Sequence, residues 1–139
     1  MADEAGNVEI LKSAYQRWSD SKGRSVDDWM KICADNIAFG SLAQGALAGA
    51  HYMTAYNSRE TLKEYFDGLA RDWEMLDWVV EHFIAQGDRV IVLSRCTWRN
   101  NKSGKTVSTP KADSWRLSGG KAVEFFEFYD TAQVHAAVA

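Results

Sequence analysis

The chain has 139 residues, enough for one domain with its own core, and its 46% apolar and 25% charged residues strike the balance of a globular protein. A net charge of −3 without a basic run argues against a nucleic-acid partner, and no apolar run approaches the roughly 20 residues of a membrane span. Six Trp, five Tyr and six Phe are many for this length, and such a supply suits an apolar ligand cavity as well as a core.

Val8, Leu11, Tyr15 and Trp18 recur at helical spacing, which predicts an amphipathic helix over about 7–21 with Asn7 as its N-cap. Gly23 ends that unit. Ser25, with Asp28 three residues on, caps a shorter helix that turns Val26, Trp29, Ile32 and Cys33 inward. Ile37 to Leu42 reads as a short strand, and residues 43–57 as a loop of the kind that walls or covers a pocket. Leu62, Tyr65, Phe66, Leu69, Ala70 and Trp73 then mark the clearest helix, capped by Asn57 with Glu60. Four strands follow, Trp78–Ala85, Arg89–Arg99, Lys105–Leu117 and Ala122–Tyr129, joined by short Gly-bearing turns that signal antiparallel hairpins. Asp130 or Thr131 caps a final helix, Ala132–Val138. Helices first and a meander after them predict an α+β architecture with helices on one face of a curved antiparallel sheet, in a single domain over 1–139.

The last two strands hold the chemistry. Side chains alternate between faces along a strand, so Lys111, Asp113, Trp115 and Leu117 share one face, and Val123, Phe125, Glu127 and Tyr129 share another. On the preceding strand the same parity groups Ile91, Leu93, Arg95 and Thr97. Hairpin pairing sets these strands side by side, so Arg95, Lys111, Asp113 and Glu127 are expected to converge in one apolar container. There the two carboxylates serve as acid or base, and the two cations stabilise developing negative charge. The alternative is a paired network that only fixes the sheet. Three scattered His (His51, His82, His135) without ligand spacing argue against a metal site, and Cys33 and Cys96 read as buried, reduced thiols of a cytoplasmic protein. The acidic N-terminus, MADEAGNVEI, lacks the core of a signal peptide.

The CADNIAFGS passage, the SRETLKEYFDGL helix, the AQGDRVIVLSRCTWRNNKSGKTV hairpin and the ADSWRLSGGKAVEFFEFYDT ending resemble the nuclear transport factor two-like superfold, in its ketosteroid isomerase and SnoaL-like polyketide cyclase branch. The resemblance spans nearly the whole chain. It implies a cone-shaped, cystatin-like roll around a deep pocket, and a homodimer through the outer sheet face. In Asp113-Ser-Trp115-Arg-Leu117, Asp113 falls on the protonated acid of the isomerase motif Asp-x-Phe-x-Phe, and Tyr15 matches the hydrogen-bonding Tyr of the first helix to within one residue. Ser41 stands where the isomerases have their general-base Asp, and a serine does not shuttle protons at neutral pH as a carboxylate does. Against the limonene-epoxide hydrolases of the same fold, Arg95 matches the Arg and Glu127 one Asp. Thr97 replaces the other Asp, and Phe39 and Ser41 replace the water-holding pair.

These readings combine into a cofactor-independent isomerase- or cyclase-like enzyme acting on a small hydrophobic carbonyl compound. Asp113, Glu127, Arg95 and Tyr15 would be catalytic, and Lys111, Ser41, Phe39, Trp29 and Trp115 would bind substrate. The alternative is a binding domain of the same fold without catalysis.

Overall fold

The computed structural model describes residues 3–139. Helix α1 (Glu4–Asp20) starts earlier than the apolar spacing predicts, because the Asp3 carboxylate accepts the Gly6 N–H and caps it there. Asn7, expected at the cap, is instead buried within the helix. Helix α2 (Val26–Ile32) has Ser25 at its N-cap position, but the Ser25 hydroxyl makes no capping bond. An ion pair between Arg17 and Asp28, 3.1 Å, ties the two helices together.

Strand β1 (Cys33–Ser41) begins four residues before the predicted start, directly after α2. A loop with one 3-10 turn (His51–Met53) leads to helix α3 (Arg59–Asp72). Its cap is Ser58, whose hydroxyl accepts the Thr61 N–H at 3.2 Å, rather than Asn57. The meander is β2 (Trp73–Gln86), β3 (Arg89–Asn100), β4 (Thr106–Ser118) and β5 (Lys121–Tyr129), followed by helix α4 (Thr131–Val138) capped by Asp130. Gly119 and Gly120, with φ of 57° and 78°, take the left-handed conformations that a two-residue hairpin turn between β4 and β5 needs.

The sheet is mixed, ordered β1-β5-β4-β3-β2. Strands β2 to β5 pair antiparallel as expected, while β1 adds in parallel beside β5. No hairpin joins β1 to its neighbour, so no turn constrains its direction. Register shifts at Met75/Asp77 and Val80/His82 bend the long strand β2, and these bulges help curve the sheet around the helices. Another shift pairs Arg116 with Glu124 but Leu117 with Ala122. Val123 is thereby the extra residue, and the inner face of β5 is Ala122, Phe125 and Glu127 rather than a run that includes Val123. Among the described residues no helix is long and apolar enough to cross a membrane.

Candidate functional site

The concave side of the sheet and the helices enclose a cavity of about 90 Å³. All six tryptophans line it: Trp18, Trp29, Trp73, Trp78, Trp98 and Trp115. Tyr15 of α1, Tyr65 and Phe66 of α3, Phe39 of β1 and Phe125 of β5 complete most of the apolar wall. Trp29 stacks on Trp115 with centroids 5.4 Å apart, and Phe39 on Phe125 at 4.2 Å, so the wall is held by aromatic contacts as well as by area.

One patch of this wall is ionic. Lys111 reaches from β4 to Asp113 two residues along its own strand, and lies 3.0 Å from Glu127 Oε1 on β5. Asp113 and Glu127 face each other across the β4–β5 ladder, which explains how one ammonium serves both. The side chains of all three are at least nine-tenths buried. Two tyrosines close the cluster. Tyr15 donates to Asp113 Oδ2 at 2.5 Å while its own oxygen accepts the Trp115 indole N–H at 2.8 Å, and Tyr65 donates to Glu127 Oε1 at 3.1 Å. Lys111 Nζ also stands 5.3 Å from the Trp78 ring centroid and 5.4 Å from that of Phe125, a cation–π arrangement.

The surroundings set the protonation states. Burial opposes the charge on Lys111, but the fields of Asp113 and Glu127 outweigh it and raise its pKa, so it stays an ammonium. Burial raises the Glu127 pKa above the ordinary glutamate value, with Lys111 pulling the other way. Burial, then the neighbouring carboxylates, lift Tyr15 and Tyr65 well above the usual phenol range, so both remain neutral donors. Asp113 is engaged on both oxygens, by Lys111 and by Tyr15. Glu127 Oε2 has only a long 3.4 Å contact with Tyr65 and is the least committed carboxylate oxygen of the cluster. The two thiols in the wall are inert, with burial pushing Cys33 up to about 12 and Cys96 to about 11.

Asp113, Glu127, Tyr15, Lys111, Phe39, Trp29 and Trp115 thus surround one cavity. Arg95 does not join them. Its side chain is 67% exposed and pairs with Glu81 at 3.6 Å on the outer face. The inward residues of β3 are Val90, Val92, Ser94 and Cys96, and the apolar outward pair Ile91 and Leu93 makes the wrong parity look equally good. Ser41 is buried but lies outside the cavity wall, because its hydroxyl accepts the Ala43 N–H at 3.1 Å and closes the turn after β1. Sequence reading missed Tyr65 and Trp78, since each fits an ordinary core stripe. The available signal was chemical, because a Tyr or Trp placed in a core still needs a partner for its O–H or N–H. Among the described residues no group of three or more His, Cys, Asp and Glu is placed to hold a metal ion.

A family model described as SnoaL-like domain matches residues 13–125. No curated protein matches the chain. Among solved structures, an NTF2-like protein of unknown function from Burkholderia pseudomallei superposes with a TM-score of 0.84 at 16% identity, covering 96% of this chain and 98% of that one. TerC, crystallised with polyporic acid, gives 0.78 at 18% identity, covering 96% and 98%. A protein of ketosteroid isomerase-like fold from Catenulispora acidiphila, in complex with trimethylamine, gives 0.73 at 14% identity, covering 94% and 92%. At these identities the likeness is one of fold.

Proposed function

Since this chain belongs to the SnoaL-like domain family, we propose that it is an isomerase- or cyclase-like enzyme that moves a proton on a small hydrophobic carbonyl compound held in the aromatic cavity. The observation that carries the reading is the Lys111 ammonium shared by two buried carboxylates in the cavity wall, one of which keeps a loosely held oxygen. Glu127 is the base. Its Oε2 takes a proton from the carbon beside the carbonyl, and the C–H electron pair forms the enolate. Burial raises the Glu127 pKa and makes it a better base than an exposed glutamate. Lys111 faces the enolate oxygen with its remaining N–H. Asp113, fixed by Tyr15, keeps Lys111 charged and in place, as an orienting carboxylate does. Where the carbonyl compound carries a neighbouring C=C bond, the enolate is a dienolate and return of the proton from Glu127 to its far carbon gives isomerisation. Where it carries a second carbonyl, attack of the enolate carbon opens that C=O to an alkoxide, which takes the proton from Glu127, and gives cyclisation. In this scheme Glu127 fills the part left open by Ser41.

The binding-only alternative draws on the same cluster, because a satisfied ion triad can fix a pocket without turning anything over. NMR of hydrogen–deuterium exchange at the carbon beside the carbonyl, over a panel of small enolisable ketones in D2O, separates the two. Wild-type protein should accelerate exchange for at least one ketone. Glu127→Gln should lower that rate about 100-fold or more. Glu124→Gln, which alters an exposed partner of Arg89 and Arg116, should leave it unchanged. Ketone binding without exchange would establish the binding-only reading.

Two copies are proposed to pair through the outer sheet face. That face carries cross-strand rows of Leu93, Ala112 and Phe128, and of Ile91, Ser114 and Phe126, with Phe126 and Phe128 exposed. Buried free thiols fit the reducing cytoplasm as its compartment.

A further inference from the structure

Two residues of the cavity wall each keep an unspent hydrogen-bond donor. Trp78 lines the cavity and is only 4% exposed, yet its indole Nε1 is buried with no partner among the described residues. Lys111, 5.3 Å from the centroid of that ring, has three N–H donors and uses two of them on Asp113 and Glu127. A buried donor without a partner is rare in a folded protein, and on a residue that lines a cavity it calls for an acceptor from outside the chain. Of the four carboxylate oxygens nearby, three are engaged and Glu127 Oε2 keeps only its long contact with Tyr65. Both Asp113 oxygens and Glu127 Oε1 receive bonds from Lys111, Tyr15 and Tyr65.

We propose that Trp78 is a ligand-anchoring residue, and that it and Lys111 together hold an acceptor oxygen, carbonyl or enolate, of an aromatic or conjugated ligand. This rests on the reading of the cavity as a small-molecule site. Aromatic walls by themselves would suit an ammonium ligand equally well. Here, however, the protein's own ammonium already occupies the faces of Trp78 and Phe125, so a second cation finds those faces taken, whereas a carbonyl oxygen finds unspent donors. The assignment therefore distinguishes two ligand classes that the shape of the cavity does not.

The test uses three probes of similar size: acetophenone, its hydrocarbon isostere α-methylstyrene, and benzyltrimethylammonium. Acetophenone only accepts hydrogen bonds, so a gain in its binding cannot come from donation to Glu127. Calorimetric titration should give acetophenone about tenfold tighter binding than α-methylstyrene. Trp78→Phe should cut that preference several-fold, the Lys111 donor remaining, while leaving α-methylstyrene affinity within about twofold. In wild-type protein, which needs no variant to fold, the Trp78 indole N–H resonance should move downfield with acetophenone and hold still with α-methylstyrene. Equal losses for both neutral probes, an unmoved indole resonance, or tightest binding of the ammonium would overturn the assignment alone. Failure of all three to bind the folded protein would overturn the cavity reading and the assignment with it.

Discussion

Lys111 is the residue on which the site depends, because it is the one cation shared by two buried carboxylates. Removing one partner of a buried ionic cluster leaves uncompensated charge in a poor solvent. Lys111→Met should therefore destabilise the fold by about 3–5 kcal/mol, measured by urea denaturation near neutral pH. The sign of the pH dependence follows from Glu127. Its folded pKa is raised above the ordinary 4.5, so the stability it contributes is fully present below 4.5 and is lost as pH rises through the folded value. Lys111 is what restrains that rise, so its loss enlarges the effect. The deficit of the variant should widen from pH 4.5 upward and narrow as pH falls toward it. A deficit independent of pH would mean that Glu127 is not titrating against Lys111. The pairing of Lys111, Asp113 and Glu127 was legible because β4 alternates throughout and β5 alternates beyond Val123, where Glu127 stands opposite Asp113. Arg95 was misassigned because β3 carries apolar residues on both faces, and strand parity then has no preferred phase.

Helix and strand existence followed from periodicity, but their ends followed from single hydrogen bonds that periodicity does not record. Ser58 rather than Asn57 starts α3, although both are good cap residues and they are adjacent. Ser58→Ala should cost about 1 kcal/mol of stability and Asn57→Ala no more than about 0.5 kcal/mol, compared by thermal denaturation. The opposite order would place the cap where the Asn57–Glu60 pairing put it. The bulges follow the same logic. Nothing in the sequence around Val123 announces an extra residue, yet that residue decides which side chains of β5 face inward. Glu127 is on the expected face because it lies beyond the bulge, in register with Asp113.

Over the whole molecule, one face of the sheet encloses the cavity, and the other carries exposed aromatic side chains beside ion pairs such as Arg95–Glu81 and Arg89–Glu124. Phe128 is 43% exposed and Phe126 37%, unusual for two large side chains on neighbouring rows of one sheet face. A second copy would cover both by presenting the same rows in return, as a two-fold interface requires. Sedimentation velocity should find wild-type protein dimeric and Phe128→Asp monomeric. A monomeric wild type at micromolar concentration would remove the dimer. The exchange test with Glu127→Gln bears on the opposite face, so the two results are independent.

The sequence by itself determined the α+β order, the hairpins and the local triad of Lys111, Asp113 and Glu127, because those depend on side-chain period and on turns a few residues long. Tertiary structure alone decided which distant residues complete the triad. Tyr15 meets Asp113 across 98 positions, Tyr65 meets Glu127 across 62, and the Trp78 ring packs against Lys111 with its indole N–H unpartnered among the described residues. In a linear pattern each of these aromatics reads as one more apolar residue of a stripe. Whether its polar atom is satisfied, and by what, depends on packing between elements that are far apart in the chain.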